Sequence, residues 1–318
     1  MPKISIITTT YKHQDFIAKT IESILSQSFT DWELLIGDDS PNYETWNIIQ
    51  KYVEKYPEKI KAWHHSQNKG IVNNMNFLFE MVDKKTEFIT FLEGDDLYTY
   101  DNLENKIKYF LDNPNTDFLY NGYSEINKEG NIINNKTKMK FLKKISFIDF
   151  LKYGENFIKS FGCVTLKYSI YDKFYPLFSP NGEKMFGLLD FFTYLRILPE
   201  INIGYLKNKI FFYRYHGNNF SGFENKDTLF QENLSIYEYY LEIYNSDKLI
   251  KKIILYRINY LKSIYNISNN NKIQSLTFLY QSFKYSYKLN IFNRIKILIR
   301  IIIPKFLNDL LIKIYTNK

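Results

Sequence analysis

The chain has 318 residues, 45% of them apolar and 24% charged, enough to bury a sizeable core and too many for a small stapled scaffold. Its single cysteine, Cys163, has no partner for a disulfide, so a reducing cytoplasm is the expected setting. The net charge of +8 resides at one end: from Asn271 onward nine basic residues stand against Asp309 alone, and the first 270 residues are near neutral.

The N-terminal apolar stretch Ile4 to Ile7 is far shorter than a signal peptide's apolar region of roughly 7–15 residues. No window approaches the ~20 apolar residues of a membrane span. Ile4 to Thr10 is β-branched and reads as a buried strand, after which Ile17, Ile21, Ile24 and Leu25 recur at helical spacing. A second cycle follows, with a strand at Glu33 to Ile36, a break at Gly37-Asp38-Asp39-Ser40-Pro41, and a helix marked by Ile48, Ile49, Tyr52, Val53 and Tyr56. Ile60 to His64 predicts a third strand, Met75 to Val82 a helix, and Phe88 to Leu92 a fourth strand that runs into Glu93-Gly94-Asp95-Asp96. This alternation predicts a mostly parallel α/β sheet.

Beyond Phe118 to Tyr123 the alternation weakens. Asn127 to Gly130 reads as a hairpin turn, and Gly162 to Leu166 and Ile210 to Tyr215 as further strands of a mixed sheet edge. From about Leu229 the pattern becomes helical, with Ser268 to Asn271 as a polar break. Ile291 to Ile303 interleaves isoleucines with Arg294, Lys296 and Arg300 and continues past Pro304 through Phe306, Leu310, Leu311 and Ile314. That pattern suits either a basic amphipathic surface on anionic lipid or a helix packed on the protein with its charges solvated. No nucleic-acid recognition motif accompanies the charge.

In parallel α/β sheets, ligands sit beyond the carboxyl ends of the strands. Both acidic clusters lie there. Asp95, Asp96 and Glu93 offer hard oxygen ligands for Mg²⁺ or Mn²⁺; the alternative is an Asp-rich turn that caps the next helix. Asp39 is an acceptor suited to the imide N–H of a pyrimidine, or else a turn-stabilising aspartate.

Taken together these segments resemble the family 2 inverting glycosyltransferases with the GT-A fold. The resemblance is carried by Ser5 to Lys12, Ser23 to Phe29, Trp32 to Ser40, Asn68-Lys69-Gly70 with Asn74 and Asn76, and Phe91 to Asp96. It extends over roughly residues 3 to 222, and its strength is the order and spacing of several motifs. The resemblance implies a Rossmann-like, mostly parallel sheet with a small mixed sheet. A nucleotide-sugar part (1–122) and an acceptor part (123–225) would make up the catalytic domain, followed by a helical basic region (226–318). It also implies that Thr9, Tyr11, Asn68 and Gly70 line the nucleotide pocket, that Asp39 reads the base, and that Asp95 and Asp96 hold ribose and metal. The motif opens on Glu93 where the family more often has Asp, and Glu93 is assigned to the metal's surroundings.

In Gly187 to Arg196, which resembles the family's catalytic-base segment, Leu189-Asp190 stands where Glu-Asp is usual. Asp190 is the candidate base, its alternative being an N-cap. Tyr213 to Asn219 resembles the closing segment, with Arg214 toward the diphosphate and His216 as a metal ligand or a structural histidine. The expected protein is a cytoplasmic transferase, with a candidate peripheral attachment at the inner face of the membrane. It would move a sugar, with inversion and a divalent metal, from a UDP-sugar by preference to a glycan or lipid-linked glycan in capsule, lipopolysaccharide or other surface-glycan synthesis. Two rivals remain open, a sugar nucleotidyltransferase and a non-catalytic glycan- or membrane-binding relative. Thr8-Thr9-Thr10-Tyr11 is not the Gly-rich basic loop that the first requires.

Overall fold

Strands β1 (Ile4–Thr10) and β2 (Trp32–Asp38) are buried along their whole length, as parallel strands are when both faces are covered. The computed structural model describes residues 3–134, 147–153, 158–177, 189–217 and 226–285. Between these strands runs α1 (Ile17–Leu25), whose Ile17, Thr20, Ile21 and Ile24 form its buried stripe. Next come α2 (Glu44–Lys55), β3 (Ile60–His64), α3 (Gly70–Glu80), β4 (Phe88–Phe91), the two-residue β5 (Leu97–Tyr98), α4 (Asn102–Asp112), β6 (Phe118–Ile126) and β7 (Ile132–Asn134). The order continues through α5 (Phe147–Tyr153), β8 (Val164–Lys167), α6 (Tyr168–Lys173), α7 (Leu189–Ile197) and β9 (Ile203–Arg214).

The strands form one continuous sheet in the order β3-β2-β1-β4-β8-β6-β9-β5, with β7 added to β6. The parallel half, β3-β2-β1-β4, passes into the mixed half through β8, which is antiparallel to both β4 and β6. Two reversals restore the direction, and β9 lies parallel to β6. The carboxyl ends of β1, β2, β4 and β9 therefore emerge on the same edge. In register, Thr10 lies opposite Asp38 and Ile7 opposite Phe91. Both acidic clusters and the segment after Arg214 thus converge there.

Two elements extend beyond their sequence patterns. The helix expected from Met75 begins at Gly70, because Asn73, Asn74 and Asn76 conceal its first turns from a hydrophobic count. The strand expected from Ile210 begins at Ile203. Lys207, Asn208 and Lys209 lie where its pairing with β6 shifts register around Gly122. A Cβ on Gly122 would stand 2.8 Å from the Lys207 carbonyl oxygen, so the irregularity needs a glycine. The turn at Asn127 to Gly130 does join β6 to β7, closed by the Gly130 N–H on the Asn127 carbonyl at 3.0 Å and by Gly130 at φ +100.

The chain divides into two compact units, Met1–Phe147 with Glu155–Gly222, and Ile148–Gly154 with Phe223–Lys318. The second contains α8 (Lys226–Ile243), α9 (Lys248–Ser268) and α10 (Lys272–Lys284). Asp247 caps α9 by accepting the Leu249 and Ile250 N–H groups, each at 2.9 Å. Leu279 of α10 packs against Tyr260, Ile264 and Ile267 of α9. Among the described residues no helix is long and apolar enough to cross a membrane. The amphipathic segment read at residues 291–314 lies outside the described residues.

Candidate active site

Four loops build the site, one after each of β1, β2, β4 and β9. After β2, Asp38 is fully buried and consumed locally. Its Oδ1 accepts the Ser40 N–H at 3.1 Å and the Ser40 hydroxyl at 2.6 Å, and its Oδ2 lies 3.0 Å from His64 Nδ1. Asp39 is turned the other way. Its N–H donates to the Thr10 carbonyl at 2.9 Å, and its Oδ1 accepts the Lys69 N–H at 3.2 Å. Burial raises the Asp39 carboxyl above its ordinary value, opposed by the Lys69 N–H and by His65.

The Lys69 N–H is presented by a tight turn. Asn68 Oδ1 accepts the Gly70 N–H at 2.7 Å, and Gly70 takes φ +74 with nothing near a would-be Cβ. Its glycine is thus required by backbone conformation, not by crowding. The Asn68 side chain closes this turn, and Thr9 and Tyr11 flank the Thr10 carbonyl that holds Asp39. Tyr11 is exposed and Thr9 buried.

The acidic loop after β4 presses against the loop after β1. The Gly94 N–H donates to the Thr9 carbonyl at 3.1 Å, and a Cβ on Gly94 would stand 2.7 Å from Thr10 Oγ1 and 2.9 Å from His13 Nδ1. Only glycine permits that approach. Thr20 of α1 secures the loop from below, its hydroxyl 3.0 Å from the Gly94 carbonyl and 2.9 Å from that of Asp96.

The three acids of this loop point to different partners. Asp95 Oδ2 lies 2.8 Å from His216 Nε2 and 4.0 Å from His13 Nε2. Asp96 Oδ1 instead accepts the Arg214 N–H at 2.7 Å inside the protein. Burial, with the charges of Asp95 and Glu93, holds the Asp96 carboxyl well above its ordinary value. Glu93 is pushed up to about 8, first by burial and then by the negative charges of Asp95 and Asp190. Its Oε2 is buried with no hydrogen bond among the described residues. Asp190 stands in the first turn of α7, its Oδ1 accepting the Phe191 N–H at 2.7 Å. It serves the helix end there while its charge reaches Glu93.

Arg214, expected to face a diphosphate, makes its described side-chain hydrogen bonds to backbone carbonyls. It has no exposed surface, its Nε donates to the Asp95 carbonyl at 2.6 Å, and its Nη1 donates to the Lys128 and Asn127 carbonyls at 2.8 and 3.3 Å. Its guanidinium therefore ties the acidic loop to the turn between β6 and β7.

The expected metal set of Glu93, Asp95, Asp96 and His216 also changes. Asp95 and His216 come together, but their third neighbour is His13, and one ligand atom from each of the three lies within 4.8 Å of the others. Asp96 is occupied by Arg214. His13, for which the sequence offered no role, could have been found from its position in the loop just beyond β1. Burial lowers the His13 pKa against the pull of Asp95, favouring the neutral, ligand-ready imidazole. Burial works to raise that of Asp95, but above all the His216 hydrogen bond lowers it, favouring the carboxylate. Among the described residues, the buried His13 Nδ1 has no hydrogen bond. One carboxylate oxygen and two imidazole nitrogens suit a first-row transition-metal dication better than Mg²⁺, which prefers oxygen alone.

The family described as "Glycosyl transferase family 2" matches residues 5–174, more than half of the chain. The chain therefore belongs to glycosyl transferase family 2. It is 32% identical over 129 residues to the putative teichuronic acid biosynthesis glycosyltransferase TuaG of Bacillus subtilis, covering 41% of this chain and 50% of TuaG. The chain thus spans about half the length of that relative. It is 30% identical over 202 residues to the UDP-Glc:alpha-D-GlcNAc-diphosphoundecaprenol beta-1,3-glucosyltransferase WfgD of Escherichia coli, covering 63% of this chain and 71% of WfgD. Among solved structures, S. aureus TarS 1-349 in complex with UDP-GlcNAc superposes with a TM-score of 0.62 at 15% identity, covering 94% of this chain and 87% of that one. The fold is that of the GT-A glycosyltransferases, the α/β architecture with a mixed sheet and helical C-terminal region that the resemblance implied.

Proposed function

We propose that the chain transfers a sugar from a UDP-sugar to a hydroxyl of a lipid-linked glycan in bacterial surface-glycan synthesis, with inversion and with a divalent metal, Mn²⁺ by preference. The observation that carries this reading is the convergence of His13, Asp95 and His216 on the acidic loop of a family 2 fold. WfgD is named for a UDP-sugar donor and a diphosphoundecaprenol-linked acceptor, which supports the choice of both substrates.

Asp39 accepts the imide N–H of the uracil ring, at a point fixed by the Thr10 carbonyl and the Lys69 N–H. Thr9, Tyr11, Asn68 and Gly70 shape the loops around the nucleoside. Asp95, His13 and His216 hold the cation, which when bound neutralises charge on the leaving diphosphate. Arg214 and Asp96 fix the backbone that presents Asp95. Asp190 takes the proton of the attacking hydroxyl. One base suffices for an inverting transfer whose leaving group needs no general acid.

The experiment is a calorimetric titration of UDP, GDP and dTDP with and without Mn²⁺, followed by transfer from UDP-glucose to a GlcNAc-diphospholipid and NMR of the product anomer. Mn²⁺-dependent binding of UDP alone and an inverted product are expected. Absence of nucleotide binding under all conditions would sink the reading.

A further inference from the structure

Lys159, in the segment before β8, places its ammonium against the end of β9. Its Nζ stands 4.0 Å from the centroid of the Tyr213 ring and 4.9 Å from that of Tyr215, and donates to the Tyr215 hydroxyl at 2.8 Å. The two rings meet edge to face with centroids 5.0 Å apart, two walls of an aromatic cage for a cation. The pairing register sets Tyr213 opposite Glu125 of β6. The Tyr215 hydroxyl donates to Glu125 Oε1 at 3.2 Å, and Glu125 Oε2 accepts the Asn134 amide at 2.8 Å. The counter-charge of Lys159 is thus reached through a phenol, and among the described residues the lysine makes no direct ion pair. An ammonium has three N–H donors, of which the Tyr215 hydroxyl takes one. Burial lowers the Lys159 pKa from the ordinary lysine value, against the pull of Glu125, Cys163, Asp96 and Asp190. A half-buried cation whose counter-charge lies behind a phenol gains by meeting an anion.

We infer that Lys159 receives the diphosphate of the lipid-linked acceptor, an inference that rests on the transfer proposed above. A diphosphate offers charged oxygens to the two remaining N–H groups, and charge-assisted hydrogen bonds are the strong ones. In a GlcNAc-diphospholipid the sugar that takes the new linkage carries the diphosphate itself, so that anion must lie beside the reacting sugar. The charge of Asp190, the candidate base, reaches Lys159, which sets the ammonium on the acceptor's side of the reaction. The donor's diphosphate has the same chemistry but a different place. Tyr213 and Arg214, consecutive in β9, point to opposite faces of the sheet, so the cage is set apart from the guanidinium that braces the metal loop. The leaving diphosphate is drawn to the cation at His13, Asp95 and His216, and the nucleoside to the loops after β1 and β2. Lys159 would thus select a diphosphate-linked acceptor over a free glycan.

The test reads binding instead of turnover, which separates this inference from the transfer reading. GlcNAc joined to a farnesyl chain through a diphosphate, and GlcNAc joined to the same chain directly, are titrated calorimetrically into the full chain and its variants Lys159→Met and Lys159→Arg, beside UDP with Mn²⁺. Wild type should prefer the diphosphate ligand. Lys159→Met should lose that preference through diphosphate binding weakened at least about tenfold, the size of one charge-assisted hydrogen bond. Lys159→Arg should keep most of it, with binding of the neutral ligand and of UDP unchanged in all three proteins. Equal affinity of wild type for the two ligands, or a preference that survives in Lys159→Met, would overturn the inference. Equal weakening of both ligands in Lys159→Met would reduce the lysine to a structural role, and weakened UDP binding in that variant would assign the ammonium to the donor's diphosphate. UDP that binds none of the three proteins, with the diphosphate preference intact, would sink the transfer reading and leave Lys159 as the contact for a diphosphate-linked lipid.

Discussion

His216 sets its Nε2 2.8 Å from Oδ2 of Asp95, a residue 121 positions earlier in the chain. Phe16 packs on the same imidazole with ring centroids 4.8 Å apart, so the histidine is oriented before any ligand arrives. His13 reaches the same oxygen from the loop after β1. Replacement of either histidine by alanine should weaken Mn²⁺-dependent UDP binding by at least tenfold, since each removes one of three protein donors. Calorimetry at fixed UDP with Mn²⁺ titrated in measures this directly. A His13→Ala protein with wild-type Mn²⁺ dependence would remove His13 from the site.

The adjacent acids Asp95 and Asp96 should behave oppositely. Asp95→Asn removes the charged donor and leaves the Arg214 contacts intact, because Arg214 uses the Asp95 backbone carbonyl. Metal-dependent binding should vanish with little change in melting temperature. Asp96→Ala strips the acceptor from the buried Arg214 N–H. Leaving that donor unsatisfied costs about 1–3 kcal/mol. Urea unfolding of the two variants tests the division, and equal stability would show that Asp96 does not brace the loop.

The sheet was legible because its parallel strands are short, largely apolar runs, and the acidic loop was legible because β2 and β4 run straight into carboxylates. The division of labour within that loop was not. Nothing in Glu93-Gly94-Asp95-Asp96 says that Asp95 faces two histidines while Asp96 turns to a backbone N–H, since that depends on where β9 delivers Arg214. A basic residue near a phosphate-binding motif suggests an anion contact, and only the turn at Asn127 to Gly130 reveals that the Arg214 guanidinium is held by carbonyls. His13 and Gly94 are each ordinary in sequence. Their roles arise from the approach of two loops roughly 80 residues apart.

That approach can be tested without changing a ligand. Gly94→Ala would place a methyl 2.7 Å from Thr10 Oγ1 and 2.9 Å from His13 Nδ1, distances that real carbon atoms do not tolerate. The loops must separate, and His13 leaves Asp95. Mn²⁺ affinity should fall about as far as in His13→Ala, with UDP binding in the absence of metal unchanged. Unaltered Mn²⁺ affinity would mean that the two loops part without moving the imidazole.

Beneath the site, Lys106 is fully buried with neutral partners, its Nζ 2.8 Å from Thr90 Oγ1 and 3.3 Å from the Tyr98 hydroxyl. The Tyr98 hydroxyl in turn donates to the Phe91 carbonyl, so the lysine braces both ends of the acidic loop. Burial brings its ammonium down to about 7, against the raising effect of Cys163 and Glu93. Between that value and the ordinary lysine value of about 10.4, the unfolded chain holds the proton and the folded chain has released it. Stability should therefore rise with pH across this window and fall as pH drops toward 7. Lys106→Met removes the titration while keeping the volume. The stability of wild type relative to this variant should increase by about 2 kcal/mol between pH 7 and pH 9, read from urea unfolding at both values. A constant difference would show that Lys106 stays charged within the protein, with the Glu93 carboxylate as its counter-charge.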